Sequence, residues 1–276
     1  AGLDKNGEVI DAFYDMGFGH VEIGTVTPRA QSGNPKPRIF RIPEKKAIIN
    51  RMGFNNLGIE RVLCNLSKKK TEGIVGINIG KNRNTPLEKS TEDYLFCLDQ
   101  VYPFASYVTV NISSPNTPEL RSLQFGSFLS ELLSRLKERQ DELANRYDRY
   151  VPLVIKIAPD LNISEIKSIS EAVLEINLDG IIATNTTVDH SPVVDFKHSK
   201  EEGGLSGAPL FESSIKVISA LYKLLGNKIP IIGVGGIMTA EDAEKIFSSG
   251  AKLIQIYSGF IYHGPNLIKR INSLDD

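Results

Sequence analysis

Runs of β-branched and other apolar residues alternate along this chain with segments of helical periodicity. Seven runs have the length of buried strands, and each carries polar or glycine residues at or near its end: HVEIGT (20–25), GIVGINI (73–79), YVTVNI (107–112), LVIKIA (153–158), GIIATNT (180–186), IPIIGVGG (229–236) and LIQIYS (253–258). Strands that alternate with helices predict a parallel sheet, and eight such units close into a barrel. The sequence therefore predicts an α/β fold, a (β/α)8 TIM barrel, with polar groups at the carboxyl ends of its strands.

The helical segments outnumber the strands by one. They lie near 7–17, 55–70, 91–102, 123–146, 164–177, 212–226, 239–249 and 265–274. The chain opens on AGLDKNG, with no strand before it. We therefore expect residues 1–276 to form a single barrel domain truncated at its N-terminus, with Ala1 at the tip of a first strand that is largely missing.

The composition excludes several classes of partner. With 32 basic and 33 acidic residues, the chain has no overall field that would attract nucleic acid. No apolar run approaches the roughly 20 residues that span a bilayer. Cys64 and Cys97 lie in helical patterns, so buried reduced thiols are expected, and neither the cysteines nor the four histidines have metal-ligand spacing.

Three strand-to-helix loops are much longer than usual and leave the same rim of the predicted barrel. They cover 26–56, 113–124 and 188–210. Long loops at this rim usually cover or line a binding site. Within the first loop, 38–41 and 46–50 are expected to pair as a small hairpin.

A glycine-rich turn and the strand after it indicate a phosphate site. Gly233, Gly235 and Gly236 follow one strand, and Ser258 follows the next. These become strands seven and eight of a complete barrel, whose loops often bind phosphate through backbone N–H groups. The alternative is that the glycines only permit tight turns. A dinucleotide-binding fingerprint is excluded because Met238 replaces the third glycine.

Lys156 lies inside the apolar strand VPLVIKIAPD, where a lysine is almost never buried without a partner. It fits a Schiff-base nucleophile or a fixed cation beside a cofactor that gains negative charge.

Asparagines recur at strand ends and rim loops, and Asn78 and Asn111 stand within strands, where asparagine is depleted. Ser114 follows a strand without a nearby histidine or a G-x-S-x-G motif, so a hydrolase is unsupported.

Together these motifs resemble the dihydroorotate dehydrogenases, FMN-dependent β/α barrels. The resemblance runs from AGLDKNG to YSGFIYHGP, almost the whole chain. It is carried by EIGTVTPRAQSGNPKPR, INRMGFNN, GINIGKN, VNISSPNTP, KIAPDL, ATNTT, GGLSG, IGVGGI and QIYSGF. The base residue of this family is serine in class 2 and cysteine in class 1. With Ser114 in NISSPNTP, this chain resembles class 2, the quinone-dependent members.

The resemblance implies two sets of ligand contacts. FMN would contact Ala1, Gly2, Leu3, Asp4, Lys5, Thr25, Asn78, Asn111, Lys156, Thr184, Gly207, Gly235, Gly236, Tyr257 and Ser258. The pyrimidine would contact Lys5, Asn50, Arg51, Met52, Gly53, Phe54, Asn111, Asn116, Asn185 and Thr186.

The resemblance also implies a reaction. Ser114 would remove a proton from C5 of (S)-dihydroorotate while C6 delivers hydride to FMN, giving orotate in de novo pyrimidine (UMP) biosynthesis. Lys156 would stabilise the charge that the flavin gains, and Thr117 or a water would relay the proton. A quinone would take the electrons at the cytoplasmic side of the inner membrane, where an N-terminal extension of the parent protein would dock. The fragment alone would be soluble.

Three other functions remain open on sequence alone. A phosphate-binding aldolase or isomerase would use Lys156 as a Schiff-base nucleophile. Another FMN barrel, such as one that reduces uridine in transfer RNA, is disfavoured by the lack of a basic face. A binding barrel without catalytic activity would leave Lys5, Ser114 and Lys156 unexplained.

Overall fold

The computed structural model describes residues 2–274, and its centre is a curled sheet of seven parallel strands. All seven predicted strands are confirmed: β1 His20–Val26, β4 Ile74–Ile79, β5 Tyr107–Asn111, β6 Leu153–Ile157, β7 Gly180–Ala183, β9 Ile231–Val234 and β10 Leu253–Gln255. They lie side by side in that order, because each β-helix-β crossover returns the chain to the next position in the sheet.

The sheet is an open barrel. β1 and β10 are its two edges, and a cavity of about 600 Å³ separates them. The backbone N–H of Gly24 in β1 donates to the Asp4 carbonyl (2.9 Å), so the first residues of the chain run beside the carboxyl end of β1. The architecture is thus a TIM barrel that lacks part of its first strand, as the sequence predicts.

Helices cover the outer face of the sheet at the predicted positions. They are α1 Ile10–Asp15, α2 Ile59–Leu66, α3 Ser90–Val101, α4 Gly126–Tyr147, α5 Ile163–Glu175, α6 Phe211–Leu225, α7 Ala240–Ser248 and α9 Pro265–Asn272. The sequence missed α8, Ser258–His263, a six-residue helix that begins directly after β10. α1 begins later than predicted because the Asp4 carboxylate holds the N–H groups of Glu8 and Val9 in a turn (2.9 Å each).

A second sheet lies over the carboxyl rim. β2 Ile39–Ile42 and β3 Ala47–Asn50 form the predicted hairpin, and β8 Gly204–Gly207 adds to β3 in antiparallel register. The sequence did not predict β8, because glycine is depleted in strands. β8 begins with Gly204 and ends with Gly207, and Gly203 precedes it. This sheet unites the first and third long loops above the barrel.

The helices pack on the strands through one continuous apolar core. Cys97 belongs to that core, as expected. The expectation for Cys64 was wrong, because α2 turns Ile59, Val62 and Leu66 inward and leaves Cys64 exposed on the opposite face. Within residues 2–274 no helix is both long and apolar enough to cross a bilayer.

Helix α7 has a reciprocal N-terminal cap. The Thr239 hydroxyl accepts the N–H of Asp242 (3.2 Å), and the Asp242 carboxylate accepts the N–H of Thr239 (3.1 Å). Each contact satisfies a backbone donor that would otherwise lack a partner within the helix. The cap fixes where α7 begins after the glycine turn that follows β9.

Replacing the cap tests its contribution. We expect Thr239→Ala to lower the free energy of unfolding by about 1 kcal/mol, since a backbone donor loses its acceptor. Thr239→Ser keeps the hydroxyl and is the matched control. Urea denaturation measures both variants, and equal midpoints for Ala and Ser would contradict the capping role.

Candidate active site

The pocket lies at the carboxyl ends of the barrel strands, beneath the second sheet. Eighteen residues that the sequence singled out line it: Gly2, Lys5, Thr25, Asn50, Met52, Gly53, Phe54, Asn111, Ser114, Lys156, Thr184, Asn185, Thr186, Gly207, Gly235, Gly236, Tyr257 and Ser258. Parallel strands bring their carboxyl ends to one rim, so residues more than 200 positions apart meet there.

A chain of hydrogen bonds joins three strands at the base of the pocket. The Thr25 hydroxyl on β1 donates to Asn78 Oδ1 on β4 (2.5 Å), and Asn111 Nδ2 on β5 donates to both Asn78 Oδ1 (3.2 Å) and Thr25 Oγ1 (3.0 Å). Asn78 is fully buried and reaches the pocket only through these two partners. This explains an asparagine within a strand run, because its amide orients the groups that face the ligand.

Buried Lys156 and half-buried Lys5 make the pocket electropositive. Burial lowers the pKa of Lys156 on β6, while the Glu22 carboxylate raises it. Burial, followed by the positive charges of Arg38 and Lys156, lowers the pKa of Lys5 to about 8. Within residues 2–274 no carboxylate oxygen lies within 4.0 Å of either ammonium group. Their charges are therefore available to an anionic ligand.

The glycine turn after β9 forms a close-fitting cradle. A Cβ on Gly236 would lie 2.5 Å from the backbone of Phe211, and one on Gly235 would lie 2.2 Å from the Ser214 hydroxyl. Both glycines have positive φ, +130° and +80° in chain order. Across the cradle, the hydroxyls of Ser206 and Ser258 lie 2.8 Å apart. Bare backbone beside a pair of serine hydroxyls suits a phosphate.

Ser114 lies in the loop after β5, which other loops hold in place. Its hydroxyl accepts the N–H of Asn116 (3.3 Å), and Asn116 Nδ2 donates to the Asn50 carbonyl (2.9 Å). The Arg121 guanidinium donates to the carbonyls of Ser113 (3.0 Å) and Thr186 (2.8 Å). The serine is thus fixed between the β5, β7 and hairpin loops.

Other predicted residues do not line the pocket. Leu3 and Asp4 line the cavity between the barrel edges. Arg51 pairs with Glu201 (2.7 Å) and stacks on Phe40, away from the pocket. The side chains of Asn78, Asn116 and Thr117 lie behind the lining residues. Ala1 lies outside the described residues.

Sequence reasoning missed several residues of the pocket and its base. Gln255 lines the pocket and donates to Glu22 (2.8 Å), and Ser206 shares a hydrogen bond with Ser258. All three missed side chains stand inside motifs that the sequence did single out. The rule that selected Lys156, a polar residue within an apolar strand, also applies to Glu22 and Gln255.

Fold and site together define a β/α-barrel enzyme with an electropositive, amide-lined pocket and a glycine cradle. The family model for dihydroorotate dehydrogenase matches residues 1–274. The chain belongs to this family.

Named relatives agree with that assignment. The dihydroorotate dehydrogenases (quinone) of Vibrio cholerae and Shewanella denitrificans are 59% and 58% identical over 271 residues, 98% of this chain and 81% and 80% of theirs. The structure of the Eimeria tenella dehydrogenase with ferulenol superposes with a TM-score of 0.93 at 38% identity, covering 99% of this chain and 78% of the other.

The glycine cradle gives a stability test with an internal control. We expect Gly236→Ala to lower the free energy of unfolding by at least about 2 kcal/mol, since left-handed strain adds to overpacking against Phe211. Gly226 also has positive φ (+58°), but a Cβ there meets nothing within 4 Å. Gly226→Ala should therefore cost only about 1 kcal/mol. Equal losses in urea denaturation would show that the cradle is not tight.

Proposed function

We propose that this protein oxidises (S)-dihydroorotate to orotate, with FMN as hydride acceptor and a quinone as final electron acceptor, in de novo UMP synthesis. Residues 1–276 would act as one FMN-binding barrel domain. A single observation carries the proposal: Lys156, Ser114 and a set of oriented amides face one pocket in a chain of this family. The fixed-cation role of Lys156 is therefore favoured over the Schiff-base role.

The polar groups of the pocket fit FMN at both ends of the molecule. Gly235, Gly236 and Ser258 would hold the phosphate through backbone and hydroxyl donors. Thr25, Asn111 and Lys156 would hold the polar edge of the ring. The proposed contacts are completed by pocket-lining Lys5, Thr184, Gly207 and Tyr257. Asn78 would act on FMN through Thr25 and Asn111, and Leu3 and Asp4 would act from the adjoining cavity. When bound, FMN would supply the acceptor for a hydride, which carries both electrons of the oxidation.

Buried polar atoms without partners support a polar ligand in this pocket. Within residues 2–274, Thr186 Oγ1 and Gln255 Oε1 are buried and accept or donate no hydrogen bond. An unsatisfied buried polar atom costs about 1–3 kcal/mol, so such atoms usually have a ligand or water. Thr186 belongs to the proposed pyrimidine set, and Gln255 lies nearer the proposed flavin set.

The remaining contacts would recognise dihydroorotate through hydrogen bonds from amides to its ring and through a positive charge beside its carboxylate. Asn111 and Asn185 line the pocket and would offer both donors and acceptors to a ring of alternating C=O and N–H groups. Asn116, the third amide of the proposed set, would hold Asn50 in place above the ring. Lys5 would pair with the substrate carboxylate. The segment after β3 would cover the ring, since Asn50, Met52, Gly53 and Phe54 line the pocket. Arg51 would support this segment through its ion pair with Glu201.

Ser114 would act as the base. Its hydroxyl already accepts one backbone N–H, which would stabilise negative charge on its oxygen as the proton leaves. A serine is a weak base, so the proton must move on, and buried Thr117, three residues away, is our candidate relay.

Quinone use would place the whole enzyme at a membrane. The relatives named above carry quinone in their names, and this chain covers 80–81% of their length. We propose that an N-terminal extension docks the parent enzyme on the cytoplasmic face of the inner membrane.

Removing the base should stop the first half-reaction. We expect Ser114→Ala to slow anaerobic reduction of the bound flavin by dihydroorotate about a hundredfold or more, while FMN stays bound. Stopped-flow absorbance measures the rate. Ser122→Ala is the matched control, because Ser122 is exposed in the same loop and does not line the pocket. A near-normal rate in Ser114→Ala would remove Ser114 from the mechanism.

Substrate affinity should depend on the charge of Lys5. Below its pKa of about 8 Lys5 is protonated and attracts the carboxylate of orotate, and above it that attraction is lost. We therefore expect orotate affinity to fall as the pH rises through about 8. Calorimetric titration between pH 6.5 and 9.5 measures the profile.

The Lys5→Met variant should bind weakly at all these pH values and lack the step near pH 8. Lys45→Met, at an exposed position outside the pocket, should keep the native profile. A step of the same size in Lys5→Met would assign the titration to another group.

A further inference from the structure

Glu22 is a buried carboxylate that neither the flavin set nor the pyrimidine set includes. It stands in β1, points into the barrel beneath the pocket, and is only 8% exposed. Burying an ionised carboxylate is costly unless other groups compensate the charge. Its position therefore requires an explanation from its surroundings.

Four neutral donors from three strands surround the carboxylate. Asn78 Nδ2 of β4 donates to Oε1 (2.9 Å). The Oε2 atom accepts from Thr109 Oγ1 of β5 (2.8 Å), Gln255 Nε2 of β10 (2.8 Å) and the Tyr107 hydroxyl of β5 (3.1 Å). These contacts compensate the lost hydration, but none of them neutralises the charge.

Because an ionised carboxylate only accepts hydrogen bonds, Glu22 sets the direction of the network above it. Asn78 must turn its NH₂ group toward Glu22, which leaves its Oδ1 to accept from Thr25 and Asn111. Asn111 Oδ1 in turn accepts from Asn185 Nδ2 (3.4 Å) and from the backbone N–H of Ser113 (3.3 Å). The orientation of the pocket amides thus traces back to one carboxylate.

Glu22 is also the anion that acts on the pocket lysine. The Glu22 charge raises the pKa of Lys156, opposing the effect of burial, and it is the Coulombic contribution that bears on this lysine. Burial raises the pKa of Glu22, while the positive charge of Lys156 and the hydrogen bonds from Gln255 and Asn78 act in the opposite direction. The two side chains share the barrel interior, because Lys156 is the register partner of Asn111, and Asn111 donates to the same Asn78 amide that donates to Glu22. Each charge therefore favours the charged form of the other.

We propose that Glu22 is a positioning residue: it is the buried anion that balances Lys156 across the barrel interior, and the acceptor that orients the Asn78–Thr25–Asn111 network toward the cofactor. The inference rests on the flavin site proposed above. If the proposal is correct, the Lys156 cation favours reduction of the bound flavin, and Glu22 stabilises that cation from beneath the pocket.

The test is the Glu22→Gln variant of the flavin-loaded protein, with the midpoint potential of the bound flavin as readout. Without its counter-ion, the buried charge of Lys156 is uncompensated, and the lysine responds by releasing its proton. The site then loses affinity for reduced flavin relative to oxidised flavin. We expect a tenfold or larger loss in that ratio, a fall of about 30 mV for a two-electron couple, and weaker FMN binding.

Thr109→Val is the matched control. It removes one neutral donor from Glu22 but keeps the carboxylate and its charge. If Glu22 only holds the strands together, both variants lose stability in urea and both keep the native potential. That result, or a potential that rises in Glu22→Gln because Lys156 keeps its charge unaided, would overturn the proposal.

The outcome also separates this inference from the function on which it rests. A native protein that takes up no FMN would refute the flavin site itself. A native protein that binds FMN, with a Glu22→Gln variant of unchanged potential and affinity, would refute only the role of Glu22.

Discussion

The buried polar network at the base of the pocket constrains the rest of the structure. Inside a barrel, an amide or charge without a partner costs free energy comparable to several core contacts. Thr25, Asn78 and Asn111 therefore lock three strands in one register, because a shift of one residue in any strand would leave these groups unpaired. The requirement for ligand-binding groups and the requirement for strand alignment are met by the same hydrogen bonds.

The cover of the pocket depends on glycine in an equally direct way. Glycines allow the close approach of β8 to β3 at both ends of the pairing. A Cβ on Gly207 would lie 2.2 Å from the Lys46 carbonyl, and one on Gly203, just before β8, would lie 2.3 Å from the Asn50 carbonyl. The pairing brings Asn50 above the barrel, where its carbonyl accepts from Asn116. Two long loops thus become one small sheet that holds the serine loop from above.

The sequence predicted most of this fold because its signals are local and repeated. Strand runs, helical periods and the hairpin at 38–50 are each encoded within a few residues, and the structure has them all. β8 and α8 escaped prediction for different physical reasons. β8 forms through pairing with a distant hairpin rather than through strand propensity, and α8 is too short to show a helical period.

The site was predicted less completely, since exposure and direction of a side chain depend on packing. Arg51 stands in a matching motif, yet it pairs with Glu201 from the third loop, which no local pattern indicates. Cys64 shows the same limit, because one position around a helix decides between core and solvent. Glu22 was detectable as a charged residue in an apolar strand, but its partners come from strands far away in sequence.

The open edges of the barrel bear on the strength of this charge pair. The cavity between β1 and β10 is lined in part by Glu22 and Gln255, so its contents set the dielectric around the carboxylate. Water in that cavity screens the attraction between Glu22 and Lys156, whereas a strand paired between β1 and β10 would exclude water and strengthen it. Closure of the barrel far below the pocket would thereby act on the cation that faces the cofactor. Water access between β1 and β10 would therefore link the closure of the sheet to the strength of the attraction between Glu22 and Lys156.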